Sequence, residues 1–131
     1  MTPAAFRRMA LSFPETVEGA HGGHPDFRVR GKVFASLGHP DELWGMVKLT
    51  SDQQGVYVEA EPTIFEPARG AWGRGGCTLV RLKAADATTL RGALTAAWRL
   101  VEAKGAARSG TKIRSTIAPR TSSRKRKSGG R

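Results

Sequence analysis

Cysteine is almost missing from this 131-residue chain, where Cys77 stands alone. One thiol closes no intramolecular disulfide, so a reducing cytoplasm, with a place on the nucleoid as an option, is the expected location. Long apolar runs are missing as well. No window approaches the ~18 consecutive apolar residues that span a bilayer, which argues against stable membrane association. The opening Met1-Thr2-Pro3-Ala4-Ala5-Phe6-Arg7-Arg8 places its positive charges after the apolar residues and has no apolar h-region. That is the wrong order for a secretory signal. Hydrophobic residues make up 39% of the sequence and mean hydropathy is −0.38, which at this length supplies one core and not two.

Acid is the other scarcity: 11 Asp and Glu face 22 Lys and Arg, for a net charge of +11. The shortage is local. Residues 105–131 contain Arg108, Lys112, Arg114, Arg120, Arg124, Lys125, Arg126, Lys127 and Arg131 and not one acid, whereas residues 1–104 balance 13 bases against 11 acids. A basic folded surface would suggest recognition of a groove. A basic appendage suggests sequence-independent contact with phosphates.

What is present reads as helices and strands in a clear order. Thr2 can cap a helix with Pro3 in its first turn, Phe6, Met9, Ala10 and Phe13 recur at helical spacing, and Pro14 stops it. From Thr16 the period shortens toward two, giving strands over 17–21, 27–30, 33–37 and 43–49. A Gly31-Lys32 turn would suit type II′ and set Val29 opposite Phe34; an Arg30-Gly31 turn would flip that pairing. Ser51 with Gln54 three residues on forms a capping-box pattern for a short helix over 52–59. Pro62 and Pro67 bound an irregular link, the glycines of 70–76 read as a hairpin turn or as space for Trp72 to pack, and 77–82 reads as a strand. Asp86 caps a last helix whose Leu90, Leu94, Ala97, Trp98 and Val101 form one stripe, with Gly105 as its stop. The order α-β-β-β-β-α-β-β-α, with tight turns early, predicts an α+β two-layer sandwich: an antiparallel sheet with helices on one face. The folded domain is expected over 1–105. Residues 106–131, rich in Arg, Lys, Ser, Thr, Gly and Ala, lack the apolar area to offset ordering entropy and read as a disordered tail.

Several segments resemble the MmcQ/YjbR family. They are Phe13-Pro14, Glu18, the run His24-Pro25-Asp26-Phe27-Arg28-Val29, Gly31-Lys32-Val33-Phe34-Ala35, Val47-Lys48-Leu49, and Gly70-Ala71-Trp72-Gly73-Arg74 with the helix around Trp98. Together they span roughly residues 1–104. The resemblance implies a two-layer fold of order αβ(3–4)αββα and a DNA-binding arrangement described as a double wing. It brings no catalytic motif. The basic tail and the Gly22-Gly23 pair ahead of His24 depart from the family pattern.

Chemistry-bearing residues are sparse. His21 and His24 lie three apart near Asp26, but a structural zinc site wants four ligands and Cys77 has no partner cysteine, so no metal and no other cofactor is expected. His39 adds nothing by spacing. Acids such as Glu15, Asp41 and Glu42 are scattered and no serine is marked as activated, which points away from an enzyme. Gly73-x-Gly75-Gly76 precedes a strand and no Lys-Ser/Thr follows, so it offers no helix-terminal phosphate cradle. Arg114, Arg120, Arg124, Lys125, Arg126, Lys127 and Arg131 are the leading nucleic-acid contacts, through counterion release. Arg28, Arg30, Lys32, Lys48, Arg69 and Arg74, interleaved with Trp44 and Trp72, would add a stacking platform if they gathered on the uncovered sheet face. The expected partner is DNA or RNA, bound electrostatically by a monomer or homodimer. The alternative is a protein-interaction or small-ligand module that uses the open sheet face.

Overall fold

Thr2 begins the first helix, α1 (Pro3–Leu11), by accepting a hydrogen bond from the Ala5 amide at 3.1 Å. Pro3 occupies the first turn, where its missing N–H leaves nothing unpaired. The computed structural model describes residues 1–109. After α1 the chain forms β1 (Thr16–His21), β2 (His24–Val29), β3 (Lys32–Leu37) and β4 (Trp44–Lys48). It continues through α2 (Ser51–Ala60), β5 (Phe65–Pro67), α3 (Gly70–Arg74), β6 (Cys77–Arg81) and α4 (Ala87–Ser109).

The strands make one six-stranded sheet in the order β1-β2-β3-β4-β6-β5, every neighbouring pair antiparallel. The first four follow one another through short turns. The chain then leaves through α2, lays down the edge strand β5, and returns through α3 to insert β6 between β4 and β5. α4 packs across β2, β3 and β4, and α1 packs on β1 and β3. The core between these helices and the sheet is built from Phe6, Phe27, Phe34, Val47, Phe65, Val80, Leu90 and Leu94, all fully buried. This is the expected two-layer α+β fold, with a further short helix between the last two strands.

Local readings changed in five places, each for an identifiable reason. The β2–β3 turn is Arg30-Gly31, with Val29 paired to Lys32 and both turn residues at positive φ (52° and 80°). Positive φ at both positions matches the right-handed twist of the hairpin and displaces the Gly31-Lys32 turn. A bulge follows, in which Arg28 pairs with Val33 but Phe27 pairs with Ala35, so Phe34 and Ala35 are both buried. The capping box is Thr50 with Gln53, one residue earlier than Ser51 with Gln54. Gln54 is thereby freed to turn inward, where its amide nitrogen donates to the Gly73 and Cys77 carbonyls and the Thr78 hydroxyl. The link between Pro62 and Pro67 contains β5, and the glycine segment is helix α3, not a hairpin turn. Finally, α4 runs through Gly105 to Ser109. A Cβ at Gly105 would lie 2.8 Å from both Cβ and Cδ of Arg30, so this glycine makes room for a crossing side chain and does not end the helix. Residues 106–109, expected in the tail, are helical.

Candidate functional site

Strand alternation sends one set of side chains into the core and the other onto the face that α1 and α4 leave uncovered. On that open face the register aligns one residue from each strand: Gly19, Asp26, Ser36, Met46, Leu79 and Glu66. The β1–β2 turn rises at one end of this row and α3 at the other. Between them lies a groove of about 730 Å³. Val33, Met46, Cys77 and Leu79 give it an apolar floor, His21, His24 and His39 line one end, and Lys48, Arg69 and Trp72 line the other.

At the histidine end the charges are matched. The Asp26 carboxylate has no solvent exposure, and it accepts from Arg28 Nε at 2.8 Å, Arg28 Nη2 at 3.0 Å and His21 Nδ1 at 2.7 Å. The Arg28 hydrogen bonds hold its carboxyl below the usual range and outweigh the opposing effect of burial. An ionised carboxylate only accepts, so the His21 Nδ1 carries a proton. Gly19 is the reason the pair fits: a Cβ there would meet Asp26 Oδ1 at 2.9 Å and Arg28 Nε at 3.0 Å. His24 sits over Gly38 and edge-on to His39, with ring centroids 6.2 Å apart.

The α3 end is different. Trp72 is 65% exposed on a helix of five residues. Its position is enforced by backbone contact: a Cβ at Gly73 would come 1.7 Å from the Ala68 carbonyl oxygen, and one at Gly76 would come 1.8 Å from that of Leu49. Lys48 and Arg69 beside it have no ion-pair partner among the described residues. On the floor between the two ends, Ser36 is 6% exposed and its hydroxyl has no hydrogen-bond partner among the described residues.

The structure thus gathers Lys48, Arg69 and Trp72 from the residues the sequence singled out. It does not gather the others. Arg28 is held by Asp26, Arg30 lies over α4 with Nε 3.3 Å from Glu102, and Lys32 pairs with Val29 in the core-side register. Arg74 is exposed at the end of α3, outside the groove lining. Trp44 stacks under Arg81, whose guanidinium carbon lies 4.5 Å from the ring centre and which also pairs with Glu66. The tail contacts Arg114, Arg120, Arg124, Lys125, Arg126, Lys127 and Arg131 lie outside the described residues. Ser36 was not anticipated; its signal was a single hydroxyl in the apolar run Val33-Phe34-Ala35-Ser36-Leu37.

Burial pushes the Cys77 thiol up against the opposing pull of Lys48, so it stays protonated and weakly nucleophilic. Among the described residues no three His, Cys, Asp or Glu side chains converge to hold a metal ion. No helix among them is long and apolar enough to cross a membrane.

The YjbR family model matches residues 11–100 of the chain. Among solved structures, the Deinococcus radiodurans protein DR2400, which carries a DUF419 domain, is similar in fold at a TM-score of 0.68 and 19% identity. The match covers 79% of this chain and 80% of that one. No curated protein matches the chain.

Proposed function

The chain belongs to the YjbR family, and from that premise we propose that it is a non-enzymatic, nucleic-acid-associated protein of the cytoplasm. The observation that carries the reading is the placement of charge: nine Lys and Arg with no acid in residues 105–131, beside a nearly balanced body. Such a segment binds phosphates by releasing condensed counterions and needs no shaped pocket. The helix α4 extends into this segment as far as Ser109, and Lys48 and Arg69 on the open face offer further phosphate contacts. The protonated Cys77 and the fully occupied Asp26 support a binding role over a catalytic one.

Salt-titrated binding to DNA or RNA tests this. Dissociation constants of about 10⁻⁴ to 10⁻⁶ M are expected near physiological salt, with a log–log slope of about −4 to −5 if roughly five charges engage. Replacing Arg124, Lys125, Arg126 and Lys127 together by Gln should flatten the slope by about 3 to 4. An unchanged slope removes the tail from the binding account.

One observation favours a second reading. The apolar floor and the exposed Trp72 would also suit a protein or small-molecule partner, or a homodimer. Sedimentation equilibrium decides it: a dimer that dissociates on Trp72→Ala assigns the face to self-association.

A further inference from the structure

We propose that the open-face groove holds one unpaired nucleotide of a single strand, its base stacked on Trp72 and its phosphate between Lys48 and Arg69. The inference rests on the nucleic-acid reading above and deepens it, because a charged tail alone cannot distinguish single strands from duplexes. Three independent features converge on it.

The first is Trp72. A tryptophan two-thirds exposed is an unusual surface, and here Gly73 and Gly76 fix it by backbone contacts that no other residue would permit. An exposed indole at a groove rim is a stacking platform for any base, since every base has a π-face. The second is the charge pattern. The acids on this face are already occupied, Asp26 by Arg28 and His21 and Glu66 by Arg81, whereas Lys48 and Arg69 face the groove unmatched. The vacancy is for an anion. The third is Ser36. A buried hydroxyl without a partner is costly, by about 1–3 kcal/mol, and this one lines the floor between the two ends. It can donate to or accept from a base edge. At about 730 Å³ the groove is in the range of small-ligand sites, about 300–1,000 Å³, and too small for a duplex.

The occupant follows from these features together. A peptide without acids would satisfy the floor but not the two cations, an acidic one would leave the stacking face of Trp72 unused, and the chain's own basic C-terminal segment would repel them. A second copy of the chain would have to bring an acid to Lys48 and Arg69.

The test uses the full chain and compares a single-stranded oligothymidylate of about 12–15 nucleotides, within the usual span of one binding site, with a duplex of equal length. Trp72→Ala should weaken single-strand binding about tenfold and leave duplex binding unchanged, with Trp72→Phe retaining most of the affinity. Ser36→Ala should weaken single-strand binding a few-fold while the melting temperature holds or rises, since it removes an unpartnered hydroxyl. Equal weakening of both nucleic acids by Trp72→Ala, or no weakening of either, overturns the proposal. So does a chain whose Trp72→Ala variant changes only its sedimentation, which would hand the groove to a second copy. The four-Gln tail variant separates the two readings. It should lower affinity for single strand and duplex alike while the Trp72 effect persists; if it lowers neither, the tail account fails and the groove result stands by itself.

Discussion

The two ends of the open sheet face carry similar side chains in opposite states. Beside the β1–β2 turn, a guanidinium and an imidazole N–H converge on a carboxylate with no solvent exposure, and a glycine on the adjoining strand clears the space for the pair. Beside α3, two cations border an exposed indole and meet no acid among the described residues. Lys and Arg counts cannot separate these ends. The body's near-neutral balance suggests a mixed, solvated surface, yet the acids are spent locally and one patch is left positive. Pairing, more than net charge, decides which cations hold the fold and which are left for a partner.

The largest expected effect breaks the matched end. Asp26→Ala removes three hydrogen bonds to charged or chargeable donors and should cost about 2 kcal/mol in urea unfolding, since Arg28 and His21 are partly exposed and can rehydrate. Binding of single strands should not weaken, since Lys48, Arg69 and Trp72 are untouched and Arg28 is released. A native urea midpoint for this variant would erase the distinction between the ends. The same carboxylate predicts an acid limb. Its folded pKa is depressed, so its stabilisation is fully present above the unfolded value of about 3.9 and is lost as pH falls through the lower folded value. Unfolding midpoints measured below about pH 4 should therefore fall less steeply in Asp26→Asn than in the native chain; parallel curves would count against the ion pair.

A smaller effect settles where Arg30 belongs. The structure places it with the matched charges, lying over α4 and paired with Glu102. Gly105→Ala should cost about 1 kcal/mol by crowding Arg30, although alanine ordinarily improves a helix interior by about that amount. In an Arg30→Gly background, which also suits the positive φ, the same substitution should become stabilising. If it costs the same in both backgrounds, Gly105 is serving some purpose other than clearance.

The elements were legible because their signals are periodic: Phe6 and Ala10 at helical spacing, Leu90 through Val101 as a stripe, and the alternation of β1 to β4. What escaped depended on contacts remote in sequence. Gly105 resembles a helix stop until Arg30, far along the chain, is seen to cross it. Thr50 and Ser51 are both competent caps, and burial of Gln54 against Gly73, Cys77 and Thr78 selects between them. The bulge that turns Phe34 and Ala35 both inward left Ser36 on the opposite face, a placement that strict alternation from Val29 does not give. The stretch 70–76 read as a turn because its glycines were visible, and the Ala68 carbonyl that makes Gly73 necessary was not. Of the candidate site, three residues could be named in advance, but the neutralisation of Arg30 could not, since Glu102 becomes its neighbour only in the fold; Asp26 stands two residues from Arg28 on one strand face, within reach of the sequence pattern.

The smallest stability effect belongs to the unmatched end, and it is the most informative about function. Lys48→Gln and Arg69→Gln remove no ion pair among the described residues, so each should leave the urea midpoint within about 0.5 kcal/mol of native. Each should instead reduce the salt slope of single-strand binding by about one, the signature of a lost phosphate contact. Arg74→Gln, exposed like Arg69 but outside the groove, is the internal control and should change the slope by less. Equal slopes for all three would mean that the cations act only as diffuse surface charge, and the groove would lose its claim to a phosphate. A drop confined to Lys48 and Arg69 would tie the charge imbalance at this end of the sheet to a defined contact.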